Sequence, residues 1–326
     1  MKKIKVGVVY GGISNERAIS VLSGKEVIKG LSRKKYNVFP IEITKKGAWV
    51  LNKKKLIVFD KENGPARSDI KKFDVIFIAL HGTFGEDGKV QAILDTIGVS
   101  YTGSGVLASA LGFNKVKTLE LARSASIKTP RYTQLRKNSK NKSQAVKYAG
   151  GYPLVVKPNR SGSSVGVSII KNKREFASAL KRAFKEDSEV IAEEYIKGRE
   201  LTCGVLGNSG KTKLIALPSV EIITKEKFFD YHAKYFSKDT KEICPARVSK
   251  TIEQRVRNAS VKIHEVLGCD GLTRSDFIVK GGTPYLLEIN TLPGLTQASL
   301  CPKEAKAIGM TFSEFLDKQI TLALEK

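Results

Sequence analysis

No run of apolar residues in this 326-residue chain is long enough to cross a membrane, which predicts a soluble protein. The start, Met1 to Tyr10, sets lysines before an apolar stretch as a signal peptide does. That stretch is too short, and Asn15, Glu16 and Arg17 soon follow Gly11-Gly12, so a buried first strand is expected. Cysteine is scarce: Cys203, Cys244, Cys269 and Cys301 show no paired metal spacing, which suits reduced thiols in a cytoplasm. Acidic residues are also in deficit, 32 against 57 Lys and Arg, for a formal charge of +25. Such an excess can serve nucleic acid or a membrane surface. Here the basic residues are scattered, as at Lys34-Lys35 and Lys53-Lys54-Lys55, and no helix-turn-helix, zinc-finger or aromatic-basic RNA motif accompanies them. Solvated faces and an anionic substrate explain the charge better, so neither a nucleic-acid nor a membrane partner is expected. The dinucleotide fingerprint G-x-G-x-x-G and the Walker A pattern are both missing, as are internal repeats and low-complexity linkers.

What is present begins with alternating strands and helices, the pattern of a mainly parallel sheet. Strands are expected at Lys5–Tyr10, Val38–Ile43 and Val75–Leu80, with a helix from Glu16 to about Leu31. Glycines between strand and helix leave backbone N–H groups aimed at an anion. Glu16 in a first helical turn favours the helix dipole by default; facing a cleft, it would bind a substrate ammonium. Leu80 to Gly88 is a glycine-rich loop after a buried strand, as functional loops often are, although His81 alone is more often structural than catalytic. A second domain starts near Ser104, with Lys115 inside the next helix or at its end. Val155-Val156-Lys157 closes an apolar strand just before Gly162-Ser163-Ser164-Val165-Gly166, a point charge beside many backbone donors. This suits polyphosphate, or equally a flexible hairpin with a snorkelling lysine. Glu193 to Ile196 is an acid-aromatic-aliphatic strand end able to hold a purine, though surface acids are common there. Aromatics crowd Thr224 to Thr240 without periodicity, which reads as a lid.

The most informative stretch is a hairpin, Arg274 to Val279 and Leu286 to Asn290, around Lys280-Gly281-Gly282-Thr283-Pro284. A strict two-residue Gly281-Gly282 turn would set Asp276 opposite Leu287, with Glu288 facing away. A three-residue loop, Gly281 to Thr283, sets Asp276 opposite Glu288 and Arg274 opposite Asn290. The three-residue loop is expected, because only then do three oxygen ligands converge. Two carboxylates and an amide oxygen suit Mg²⁺, which is usually completed by substrate phosphates.

Taken in order, these motifs resemble the D-alanine–D-alanine ligases of the ATP-grasp superfamily. The resemblance rests on Gly11-Gly12 with Ser14 to Arg17, Ala79-Leu80-His81-Gly82, Gly85-Glu86-Asp87-Gly88 and Tyr101 to Gly105. It continues through Val156-Lys157-Pro158, Gly162 to Gly166, Asp230 to Tyr235, Arg274-Ser275-Asp276, Leu287 to Thr291 and Pro293 to Thr296. It implies an α/β fold of three domains: an N-terminal mainly parallel domain (1–103), a central subdomain with the phosphate loop (104–192) and a C-terminal subdomain (193–326), the latter two clasping ATP. The implied reaction joins two D-alanines into D-alanyl-D-alanine through a D-alanyl phosphate, for peptidoglycan precursors in the cytoplasm. Dimers are common in that family.

The resemblance also assigns roles. Lys115, Lys157 and the loop with Ser164 would hold the phosphates, and Asp276, Glu288 and Asn290 two Mg²⁺ (or Mn²⁺) ions. Glu193, Tyr195, Ile196 and Glu200 would bind adenine and ribose, with Phe228, Lys234 and Leu287 lining the pocket. Glu16 would take the first D-alanine's ammonium, and His81 is a further candidate for substrate binding. Arg274 and the Gly294 N–H would form an oxyanion hole, Ser299 and Leu300 would seat the second D-alanine, and Tyr235, Ser163 and Glu16 would form one hydrogen-bonded network. Asn114, His232 and Leu292 depart from the usual pattern without being ligands. Ligases using D-lactate or D-serine as second substrate share the ATP machinery and are the nearest alternative; a basic nucleic-acid-binding protein is the remote one.

Overall fold

The computed structural model of the protein describes residues 2–59, 64–139, 142–224 and 240–326, and three sheets organise them. The first runs β4-β3-β2-β1-β5-β6. It comprises β1 (Ile4–Gly11), β2 (Tyr36–Ile43), β3 (Trp49–Leu51), β4 (Lys54–Lys55), β5 (Val75–Ile78) and β6 (Ser100–Tyr101). β1 lies parallel to β2 and β5, and β5 to β6, while β3 and β4 add an antiparallel edge. Continuous apolar strands such as Val75–Ile78 require cover on both faces, the usual state of a parallel sheet. One face packs Val6, Val8 and Phe77 against Phe315 and Ile320 of the last helix, Phe312–Leu324. The other packs Ile76 and Ile78 against Leu94 and Ile97 of helix Lys89–Ile97. The end of the chain thus closes the first sheet.

The second sheet is antiparallel, in the order β7-β10-β8-β9: β7 (Tyr132–Arg136), β8 (Leu154–Pro158), β9 (Ser168–Ile170) and β10 (Glu189–Glu194). Helix Lys173–Glu186 buries Phe176, Ala179, Leu180 and Ala183 on it, the i, i+3, i+4, i+7 stripe of an amphipathic helix. Between the first two sheets, the helical stretch after Gly105 divides into Val106–Phe113 and Lys115–Ser124. Asn114 marks the break, its Oδ1 accepting from Lys117 N at 3.1 Å as an N-cap. Lys115 is therefore fixed at the first helical position.

The third sheet runs β14-β13-β11-β15-β16 with β12 beside β11: β11 (Arg199–Leu206), β12 (Ile215–Ala216), β13 (Val220–Ile223), β14 (Lys241–Ile243), β15 (Leu272–Lys280) and β16 (Thr283–Asn290). Phe277, Val279 and Leu286 face helix Lys250–Val266 and pack on its Val256 and Ile263. Strand alternation then sends Arg274, Asp276 and Ile278 to the opposite face.

The hairpin pairing is the expected one, Asp276 with Glu288 and Arg274 with Asn290, but it is reached by another route. Lys280 pairs with Thr283, so the loop is the two-residue Gly281-Gly282 and not the expected three-residue loop. Both glycines have positive φ, 56° and 75°, as a tight hairpin turn matching the sheet's twist requires. The missing residue is instead inserted at Leu287, a β-bulge between the Phe277–Leu286 and Asp276–Glu288 pairs. Without that bulge Glu288 would share the core face of Leu286. Because a Cβ on Gly281 meets nothing within 4 Å, substitution there probes backbone strain alone. Gly281→Val is expected to cost about 1–2 kcal/mol and Gly281→Asn far less, measured as denaturation midpoints; equal midpoints would rule out the two-residue turn.

Candidate functional site

The polar face of the β15–β16 hairpin begins with a fork. Arg274 Nε and Nη2 donate to Asp276 Oδ1 and Oδ2, each at 2.8 Å, the bidentate geometry that a guanidinium and a carboxylate share. Burial opposes charge on Arg274, yet the Asp276 carboxylate beside it raises its pKa well above the ordinary value. From the neighbouring β11, Thr202 Oγ1 donates to Asp276 Oδ1 at 2.6 Å. Glu288 Oε2 lies 3.2 Å from Lys115 Nζ, which also donates to Ser161 O at 2.7 Å. Asn290 Oδ1 accepts from Leu292 N at 2.9 Å.

These donors fit a hard divalent cation. Asp276, Glu288 and Asn290 offer side-chain oxygens on one strand-pair face; among the described residues no three His, Cys, Asp or Glu side chains gather at any point, so a cation here would draw on the amide oxygen and on ligand oxygens beside the two carboxylates. Two carboxylates are what Mg²⁺ takes from protein when phosphates supply the remainder.

The opposing wall comes from the second sheet. Lys157 does not snorkel: it is buried at the end of β8, and its Nζ lies 2.9 Å from Glu193 Oε2, itself buried on β10. Losing the lysine would leave a buried carboxylate unpaired, so the pair is part of the sheet as well as of the cavity. Ser163 and Ser164 follow with positive φ, 50° and 56°, a conformation that non-glycine residues hold at a cost. Ser163 Oγ donates to Glu16 Oε1, joining this loop to the first sheet. A Cβ at Gly162 or at Gly82 would collide with Glu16 Oε2, so both glycines are needed for close approach to that carboxylate.

Behind Glu16 stands a pair whose partnership spacing alone does not reveal. His81 is buried between Ser23 Oγ, 2.8 Å from Nε2, and Leu292 O, 2.9 Å from Nδ1, an arrangement that suits the neutral ring with its proton on Nδ1. Burial lowers its pKa. Glu86 Oε1 is 3.9 Å from His81 Nδ1. Burial first, then the charge of Glu16, pushes the Glu86 carboxyl up to about 8.

A cavity of about 680 Å³ connects these groups. Of the residues expected from sequence, Glu16, His81, Lys115, Lys157, Ser163, Ser164, Glu193, Tyr195, Ile196 and Glu200 line it, as do Arg274, Asp276, Leu287, Glu288, Asn290 and Gly294. Ser299 and Leu300 do not. Ser299 Oγ is held by Thr296, accepting from its N at 3.2 Å, and stands immediately behind Gly294; Leu300 is buried with Val220 and Ile222. Phe228, Lys234 and Tyr235 lie outside the described residues. Glu86, Thr202 and Glu221 were missed: Glu86 and Glu221 line the cavity, and Thr202 braces Asp276. The notice available in sequence was that each is a polar residue in an otherwise apolar or glycine-rich segment.

Two antiparallel sheets closing on a cavity with paired carboxylates, buried lysines and a glycine-serine loop define an ATP-grasp ligase. The chain matches known families accordingly: residues 5–104 match the family described as D-ala D-ala ligase N-terminus, and residues 121–321 that described as D-ala D-ala ligase C-terminus. It is 41% identical over 321 residues to the D-alanine–D-alanine ligase of Pseudothermotoga lettingae, covering 98% of this chain and 100% of that one. Among solved structures, the VanG D-Ala:D-Ser ligase from Enterococcus faecalis superposes with a TM-score of 0.87 at 33% identity, covering 99% and 100% of the two chains. The Bacillus anthracis D-alanine–D-alanine ligase complexed with ATP gives 0.81 at 34%, covering 98% and 97%. The chain belongs to the D-alanine–D-alanine ligase family, whose members are ADP-forming carbon–nitrogen ligases. Among the described residues, no helix is long and apolar enough to cross a membrane.

The Glu86 carboxyl gives a pH test. Its pKa is raised from 4.5 to about 8 in the fold, so the unfolded chain releases the proton first as pH rises. The group therefore costs no stability below about pH 4.5 and its full penalty above about pH 8. Glu86→Gln removes that penalty, and its thermal midpoint relative to wild type is expected to rise progressively from pH 5 to pH 9. A difference that does not change with pH would show that Glu86 ionises normally.

Proposed function

We propose that the protein joins two D-alanines into D-alanyl-D-alanine at the expense of ATP, through a D-alanyl phosphate, as a cytoplasmic step toward peptidoglycan. One observation carries this: Lys115, Lys157, Asp276, Glu288 and Arg274 come from four separate elements and meet around one cavity that Glu16 also lines. A carboxylate is a poor electrophile, and phosphorylating it demands positioning and charge neutralisation more than covalent help.

Lys115 and Lys157 hold the nucleotide's phosphates, beneath the Gly162–Gly166 loop with Ser164. Glu193, Tyr195, Ile196, Glu200 and Leu287 enclose adenine and ribose. Asp276, Glu288 and Asn290 would hold two Mg²⁺ (or Mn²⁺) ions, which would supply charge neutralisation for the phosphates. Glu16 takes the ammonium of the first D-alanine, backed by His81, and so fixes its carboxylate toward the phosphates. When the second D-alanine's amine attacks the acyl phosphate, the developing oxyanion is met by Arg274 and the Gly294 N–H. Arg274 is suited to this, because Asp276 occupies Nε and Nη2 and leaves Nη1 for another acceptor.

The domain boundaries that go with this reading are 1–103, 104–192 and 193–326, and the assembly is a homodimer. Ser299, beside Gly294, and Leu300 would border the second D-alanine from the helix they begin. A second reading keeps all the ATP chemistry and changes only the acceptor, since the VanG structure is named a D-Ala:D-Ser ligase.

Phosphate release from ATP with D-alanine, D-serine and D-lactate in turn, with products identified by mass, separates the readings. D-alanyl-D-alanine is expected to dominate; D-alanyl-D-serine as main product would favour the second, and no amino-acid-dependent release would refute both. In the same assay Lys157→Met is expected to weaken nucleotide affinity at least tenfold, since one charge-assisted contact is typically worth about 1.5–3 kcal/mol. Lys157→Met and Lys157→Ala should both lose stability as well, because Glu193 is then stranded. Unaltered affinity in Lys157→Met would take the lysine out of the phosphate site.

A further inference from the structure

A buried carboxyl outside the cavity joins the two parts of the proposed acceptor site. Glu304 lies on helix Leu300–Ala307, one turn past Leu300, and is 0% exposed. Its Oε2 accepts from Gly204 N at 2.9 Å, while Oε1 is buried with no hydrogen-bond partner. Gly204 sits on β11 directly opposite Arg274 of β15, and a Cβ there would collide with Glu304 Oε2 and press on Cys301 Sγ at 3.3 Å. Cross-strand neighbours project to the same side of a sheet, so Glu304 approaches the face from which Arg274 rises. The glycine and the glutamate are a matched pair: one vacates the space that the other's carboxyl fills. A helix carboxyl that merely filled space would have no reason to replace a strand's own ladder partner. Burial raises the Glu304 pKa to about 8, against the opposing pull of Arg274, so near neutrality it is chiefly a neutral acid that does not draw the guanidinium from Asp276.

We infer that Glu304 is a positioning residue for the acceptor half of the reaction: through Gly204 N–H it ties the helix beginning Ser299-Leu300 to the strand position facing Arg274. The inference rests on the ligase reading above. Loosening this tie would let the Ser299–Leu300 end shift relative to the oxyanion donor while leaving the nucleotide contacts on β8, β10 and β16 in place. Small misplacements of this kind act on rate far more than on the fold.

The test compares Glu304→Gln and Glu304→Met in steady-state ligation, with ADP affinity and thermal midpoint measured on the same preparations. Gln keeps an acceptor for Gly204 N–H without a charge and is expected to stay within about twofold of wild type in every constant. Met fills similar volume and accepts nothing. Its kcat is expected to fall about tenfold, with a raised KM for the second D-alanine and unchanged ADP affinity, as loss of one buried hydrogen bond implies. Wild-type kcat and KM in Glu304→Met would overturn the inference, as would an equal loss of ADP affinity, which would mean general disruption. If Glu304→Met does not fold, Glu304→Gln still decides, since an impaired acceptor KM there contradicts a role through the Gly204 hydrogen bond. Wild-type protein without ligation would instead refute the ligase reading itself.

Discussion

The fork between Arg274 and Asp276 is the interaction on which the site depends. Both side chains are largely buried, and a buried ion is tolerated only when its partner and its hydrogen bonds are supplied together. The supply comes from several directions: the fork gives two hydrogen bonds, Thr202 gives a third to Asp276, and Asn290 and Glu288 stand opposite across the hairpin. The result is a fixed guanidinium beside fixed carboxylates. Charge developing in a reaction there meets donors and cations already oriented, which is the economical way for a protein to stabilise it.

Everything else converges on that face. The first sheet delivers Glu16 and His81, the second Lys157 and the Ser163 loop, and helix Lys115–Ser124 its first residue. Contacts between them are short and polar, such as Ser163 with Glu16 and Lys115 with Glu288. Glycine at 82 and 162 allows segments from two sheets to close on a single carboxylate. The walls therefore define a cavity lined by groups of different kinds: the Glu16 carboxylate, the ammonium groups of Lys115 and Lys157, and the Tyr195–Ile196 strand end.

Much of this was legible in the residues, and the failures have physical causes. The parallel first sheet followed from apolar strands alternating with helices, and the hairpin pairing from the need to bring Asp276 and Glu288 together. The loop length was wrong because a ladder can absorb an extra residue anywhere along it, and the bulge sits at Leu287, where an apolar residue gives no sign of it. The residues around Lys157 suited a phosphate ligand and a snorkelling lysine equally, because its partner, Glu193, is some 36 positions along the chain and only strand pairing sets them side by side. Ser299 and Leu300, expected to seat the second D-alanine, are not among the residues lining the cavity, since helix geometry turns Leu300 into a core with Val220 and Ile222. Glu86 and Glu304 were missed as ionisable groups because burial, which decides their behaviour, belongs to the assembled fold.

The role proposed for the paired face of β15 and β16 is to hold the cations and the oxyanion. The most direct measurement is the number of Mn²⁺ ions bound per chain in the presence of a non-hydrolysable ATP analogue, counted by electron paramagnetic resonance. Wild-type protein is predicted to hold two, and Glu288→Gln, which keeps the shape of the side chain without its charge, at most one. Two ions still bound in Glu288→Gln with unchanged affinity would contradict the account.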